Sequence, residues 1–360
     1  MIRIFGWSVG VTVVILGAAA ALGGWEVFVV VAILGILEIS LSFDNAVVNA
    51  TVLKRMSAMW QKIFLTVGVV IAVFGMRLLF PLIIVAITAG LGPREVVDLA
   101  INNPDAYASA LEAAHPAIAA VGGVFLGMIF LDFILEDRDI QWLKWIERPL
   151  AKAGLVEALS IAVALLGIVL TARYLAGDNA RTVLFAGTIG LITYLFVNGL
   201  ASFFEVEADE DDDEVAGISG SASAAQGAVA AGKAGLFLFL YLEVLDASFS
   251  FDGVIGAFAV SSNIFIIAAG LGIGAMYIRS LTVFLVRKGT LDEYVYLEHG
   301  AHYAIGALAV LLLTSIRFDI PEIVTGLIGV GFIGLAFVSS LNHNRKHESE
   351  ASEVTAGQSS

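Results

Sequence analysis

The chain has 360 residues, 59% of them hydrophobic and only 14% charged, with a mean hydropathy of +0.92, which excludes an ordinary water-soluble globular protein. Its formal net charge of −14 lies largely in an acidic run, Glu205 to Glu214, and in the polar tail after Asn342; acids placed there argue against nucleic-acid binding. With no cysteine anywhere, disulfides, thiolate metal sites and thiol redox chemistry are excluded together, so any metal held here is held by oxygen or imidazole.

Apolar runs long enough to cross a hydrocarbon core of roughly 30 Å predict an all-α, polytopic transmembrane helix bundle of about ten spans. In chain order they fall at 2–23, 25–53, 62–90, 117–136, 155–176, 182–203, 234–261, 263–287, 300–316 and 320–341. The first run follows Arg3 and ends in the small-residue stretch Gly17 to Leu22, a pattern shared with signal peptides. Retaining it as a span keeps the charge bias below consistent. The connection from Leu91 to Pro116 is long and is expected to carry a short amphipathic helix. The segmentation is a first membrane repeat at 1–176 and the first span of a second at 177–204. A flexible cytoplasmic linker follows at 205–233, acidic and then rich in Gly, Ser and Ala. The rest of the second repeat occupies 234–341, and a disordered cytoplasmic tail 342–360.

With ten spans, thirteen Lys and Arg fall in loops on the side of the N-terminus and four (Arg94, Arg173, Arg181, Arg317) on the other. The positive-inside rule then puts both termini in the cytoplasm of a multi-pass plasma-membrane protein. The remaining two of the 19 basic residues, Arg77 and Arg279, lie inside predicted spans and require partners.

The second span and its counterpart share a motif. Glu38-Ile-Ser-Leu-Ser-Phe-Asp44-Asn45 aligns with Asp246-Ala-Ser-Phe-Ser-Phe-Asp252-Gly253, so that Ser42 and Asp44 recur as Ser250 and Asp252. Arg77 and Arg279 each follow a small residue and a methionine, and His115 and Asp132 recur as His302 and Asp319 at identical separation. Five spans per half is an odd number, which inverts the second half relative to the first, the architecture of secondary transporters with a midplane site.

Carboxylates at that depth must face the bundle interior, pair, or take up protons. At about 100° per residue Glu38, Ser42, Asn45 and Asn49 form one polar stripe, with Asp44 on a different face. Unwinding near Asn45 or Gly253 would bring the oxygens of each motif together. Five acids (Glu38, Asp44, Glu243, Asp246, Asp252) against Arg77 and Arg279 leave three negative charges, matched by a divalent cation and one proton. The metal-site candidates are therefore Glu38, Asp44, Asn45, Glu243, Asp246 and Asp252, supported by Ser42, Ser250, Arg77 and Arg279. Oxygen ligands of these types suit manganese, magnesium or calcium. His115 and His302, on opposite faces of the membrane, are expected to make interfacial hydrogen bonds, and Glu298, His299 and His302 to form at most a small peripheral site.

These residues resemble the two signature motifs of the TerC-type integral membrane proteins, and the resemblance extends to Arg77 and Arg279 over most of the membrane region. It implies a metal-binding site built from the acids and, from members acting in manganese export or tellurite resistance, divalent-metal efflux. Gly253, where related second motifs often carry serine, and the long acidic linker mark a divergent branch. The expectation is a secondary transporter exporting a divalent cation, manganese before calcium, with the carboxylates also exchanging protons. Two alternatives stay open: a membrane scaffold that holds a structural metal and anchors soluble stress-response partners, and an exporter of small organic cations or amino acids. No Walker motif, nucleophile elbow or dinucleotide fingerprint is present, so neither ATP-driven pumping nor enzyme activity is expected.

Overall fold

A computed structural model describes the backbone of residues 2–156, 158–215, 232–261 and 263–358, without the side chains of 2, 3, 200–215, 251, 252, 255, 259, 292, 322 and 346–358. The expected linker falls largely on 216–231, outside the described residues. Every regular element described is helical.

Two apolar runs expected as separate spans form one element, α1 (Ile2–Leu41), broken at Gly24, whose φ of 75° and ψ of −170° lie where a side chain would be strained. A second break follows at once. Ser42, with φ −99° and ψ 17°, separates α1 from α2 (Phe43–Leu53). The chain then crosses as α3 (Ala58–Val70), a π-helical stretch (Ile71–Leu79) and α4 (Phe80–Ala89). The long connection carries the expected amphipathic helix, α5 (Pro93–Asn102), started by Pro93 and by the Glu95 carboxylate accepting from the Gly92 N–H at 2.7 Å. α6 (Pro104–Leu135) follows, capped by Asn103.

The surface helix α7 (Lys144–Ala153) is anchored by buried Glu147, which accepts from the N–H groups of Trp142 and Leu143 at 3.0 and 2.9 Å. α8 (Leu159–Tyr174), α9 (Ala180–Val215), α10 (Gly232–Val260) and α11 (Ile264–Lys288) come next, α11 starting under an Asn263 cap. A short α12 (Thr290–Glu293), α13 (Leu297–Ser315) and α14 (Glu322–Gln358) complete the fold. The backbone of the acidic run continues α9 to Val215, and that of the C-terminal segment continues α14.

Seven helices among the described residues are long and apolar enough to cross a membrane. Their outward faces expose Trp7, Leu22, Ile87, Phe185 and Leu327, each more than 65% accessible, a surface suited to lipid rather than water. This is a helical membrane protein. α1 packs along α11, α6 fits between α9 and α13, and α2 is held by α10, α11, α13 and α14. The largest buried cluster joins Val47 and Val48 to Phe125, Met128, Tyr194, Leu245 and Ile305.

Close helix approach depends on small residues. A Cβ at Gly190 on α9 would press on the Val121 carbonyl of α6 and lie 3.0 Å from its Cα, whereas one at Gly167 on α8 would meet nothing within 4 Å. Gly190→Ala should therefore lower stability by about 1–3 kcal/mol, and Gly167→Ala should be neutral or stabilising by up to about 1 kcal/mol through helix propensity. Thermal unfolding of both variants in detergent checks the contrast.

Candidate functional site

The polar stripe of the first motif is buried along its length: Glu38, Ser42, Asn45 and Asn49 are all at most 7% exposed, as is Asp44. The helix break that re-aims this segment lies at Ser42, one turn earlier than expected, and α10 runs through Gly253 without interruption. Restarting at Phe43 places Asp44 in the first turn of α2, where the helix dipole favours a carboxylate. Its Oδ1 accepts from the Asn45 N–H at 3.1 Å.

The two membrane-embedded arginines take different acids. Arg77, carried by the π-helical stretch, donates through Nη2 to Glu38 Oε1 and through Nη1 to the Ala72 carbonyl at 2.9 Å. Ser42 Oγ donates to the same Glu38 oxygen at 3.2 Å. Arg279 grips Glu243 with both terminal nitrogens, Nη1 to Oε1 and Nη2 to Oε2, each at 3.0 Å, and reaches Asp246 Oδ2 at 3.2 Å. Its guanidinium also stacks 4.2 Å from the Phe64 ring centroid. Fork geometry, a second carboxylate and an aromatic face together satisfy a cation that is 1% exposed. Gly68 provides the room, since a Cβ there would collide with the Arg279 guanidinium.

The six candidate ligands are thus divided. Glu243 and Asp246 are engaged by Arg279, Glu38 is engaged by Arg77, and the Asp252 side chain lies outside the described residues. Asp44 has no basic partner among the described residues. No group of three or more His, Asp or Glu positioned to hold a metal occurs among them either.

Asp44, Asn45, Ser42 and Glu38 instead line a cavity of about 530 Å³. Its wall continues past Glu112, His115 and Ser315 to the exposed Arg317, Phe318, Asp319 and Pro321 of the α13–α14 connection. The second motif contributes Phe249 and Gly253. At Gly253 a Cβ would stand 3.1 Å from Glu38 Oε2, so glycine there gives the Glu38 carboxylate its space. On the far wall a Cβ at Gly329 of α14 would run into the Asp44 carboxylate.

His115, expected to serve as an interfacial hydrogen-bonding residue, faces this cavity, 3.3 Å from Ser315 Oγ and with Glu112 and Asp319 as charged neighbours. The repeated His and Asp pair was its only signal in the sequence; that His115 and Asp319 meet depends on α6 packing on α13. The triplet Glu298, His299 and His302 is not gathered as a ligand set. Glu298 pairs with Lys54 at 3.1 Å and Arg138 at 3.5 Å, His302 stacks on Phe133 at 3.8 Å, and His299 Nε2 lies 3.0 Å from the Ile140 carbonyl.

Removing Arg279 would strand two buried carboxylates. Arg279→Met should destabilise the protein by about 3–5 kcal/mol, and adding Glu243→Gln with Asp246→Asn should recover most of that loss. Chemical denaturation of the single and triple variants in detergent checks both.

The family described as protein of unknown function (DUF475) matches residues 43–347. No curated protein and no solved structure matches.

Proposed function

Since the chain belongs to the DUF475 family, whose description is protein of unknown function, its role has to be read from its own residues, and we propose that it is a secondary transporter of cations. The observation that carries this reading is Asp44: a carboxylate 6% exposed, with no basic partner among the described residues, on the wall of a cavity that reaches the exposed Arg317–Pro321 segment. An ionised group in that position is costly without a counter-charge, and a mobile cation supplies one. Among the described side chains, Glu38, Asp44, Glu243 and Asp246 carry four negative charges against two arginines, leaving two, which a divalent cation balances.

The cargo assigned here is a divalent metal, manganese by the resemblance to TerC-type motifs, with calcium using the same oxygen chemistry. A single buried carboxylate with Ser42 and Asn45 is a sparse ligand set. At about 30 Å³ per water the cavity volume accommodates roughly eighteen waters, so the ion is taken up with part of its hydration shell, as hard cations prefer. When cargo leaves, two protons on the carboxylates, one of them on Asp44, keep the site neutral, which couples efflux to proton entry. The same volume supports a second reading, in which the cargo is a small organic ammonium ion.

For topology, ten crossings in two inverted halves are supported by the Gly24 break in α1, by the apolar though 16-residue α8, and by α10 at 232–260. Both termini are then cytoplasmic in the plasma membrane, and the cavity faces the opposite side. The chain has no native cysteine, so single cysteines report sidedness cleanly. Phe318→Cys should react with an impermeant thiol reagent from outside intact cells, and Trp145→Cys only after permeabilisation; the reverse pattern overturns the orientation.

The transport test is manganese flux in vesicles holding the purified protein. Asp44→Asn should lower flux at least tenfold, as expected for loss of a charged ligand. Unchanged flux in that variant would remove Asp44 from the site. Competition by small organic ammonium ions, without manganese movement, would select the second cargo.

A further inference from the structure

One buried side chain is left without a role by the cavity. Asn49 is 0% exposed, and neither its Oδ1 nor its Nδ2 has a hydrogen-bond partner. Buried amides are nearly always satisfied, and one with both ends open is destabilising, at the cost of desolvating a donor and an acceptor. Asn49 stands one helical turn below Asn45 on α2, about 6 Å further along the axis and within some 40° of the same face. Asn45 lines the cavity and Asn49 does not. Beyond Asn49 the helix enters an apolar plug in which Val52, Leu53 and Met56 pack with Phe64, Leu238, Phe239 and Leu242. An open amide therefore sits between the floor of the cavity and the plug that seals the opposite end.

We infer that Asn49 is an inner station for the transported divalent cation, its Oδ1 a neutral oxygen ligand and its Nδ2 a donor to a water that travels with the ion. This rests on the transporter reading above. It assigns a second position on the path, occupied after the plug opens to the cytoplasm and before the ion reaches Asp44. A neutral ligand suits that step, because a second fixed carboxylate would hold the ion too firmly to release it. The wet end of the route is the exposed loop at Arg317–Pro321, the charged stop is Asp44, and the neutral stop is Asn49.

Leucine is close to asparagine in size and has no polar atoms, so Asn49→Leu separates structure from transport. Replacing an unsatisfied buried amide by an apolar group of similar shape leaves stability unchanged or raises it. The experiment compares thermal stability in detergent, manganese binding by calorimetry, and manganese flux in vesicles for the full-length protein, Asn49→Leu, Asn49→Ser and Asp44→Asn. Expected for Asn49→Leu are unchanged or raised stability, binding within about twofold of the parent, and flux reduced roughly tenfold or more. Asn49→Ser, which keeps one oxygen, should regain part of the flux.

Flux at the parent level in Asn49→Leu, with Asp44→Asn inactive, would overturn the inner station and leave the transporter reading intact, with a trapped water as the partner of the amide. Flux insensitive to Asp44→Asn, or no flux in the parent, would overturn the transporter reading and the station with it. Loss of stability in Asn49→Leu would show that the amide is satisfied by the protein and also overturn the proposal.

Discussion

The rest of the molecule is arranged around the pairing of Arg279 with Glu243 and Asp246. A guanidinium 1% exposed in a helix bundle is tolerable only where carboxylates complete its hydrogen bonds. Meeting that condition ties α10 to α11, while the ring of Phe64 and the bare backbone at Gly68 bring in α3. Arg77 and Glu38 repeat the arrangement between the π-helical stretch and the end of α1. With both arginines engaged, one leftover charge stays with Glu243 and Asp246 and the other falls on Asp44, and the chemistry of the cavity follows from the second.

The two arginine sites differ in a way that matters for the cavity. Arg279 meets two acids and an aromatic face, none of which lines the cavity. Arg77 meets one acid, and that acid, Glu38, is itself part of the wall and also accepts from Ser42. The first motif is thus exposed to solvent chemistry at Glu38 and Asp44, whereas Glu243 and Asp246 of the second motif are locked in the frame. The two similar motifs differ in what they bring to the cavity wall: carboxylates from the first, Phe249 and Gly253 from the second.

Much of this was legible in the residues. The apolar runs marked the helices, the odd charges within them marked Arg77 and Arg279 as needing partners, and the repeated acidic motif supplied the partners. The stripe of Glu38, Ser42, Asn45 and Asn49 is buried as helical periodicity implied. What the pattern could not convey was the division of labour among the acids, because which carboxylate a guanidinium reaches depends on helix packing and not on spacing. The break at Ser42 carried no glycine or proline to announce it. His115 looked like a residue of the membrane boundary, and only the packing of α6 against α13 turns it into the cavity. The glycines at 68 and 329 were unremarkable letters until the side chains pressed against them were known.

Gly326 and Gly329 put bare helix backbone against Leu41 and Asp44, so at these two positions the carboxylate's surroundings have no side chain. Such a wall cannot adjust by rotamer changes. The opening beside Asp44 is set by the distance of an entire helix, and any residue larger than glycine at 329 moves either that helix or the carboxylate. The opening along this side therefore changes in steps: the fold admits one width, and a different width requires α14 to sit elsewhere.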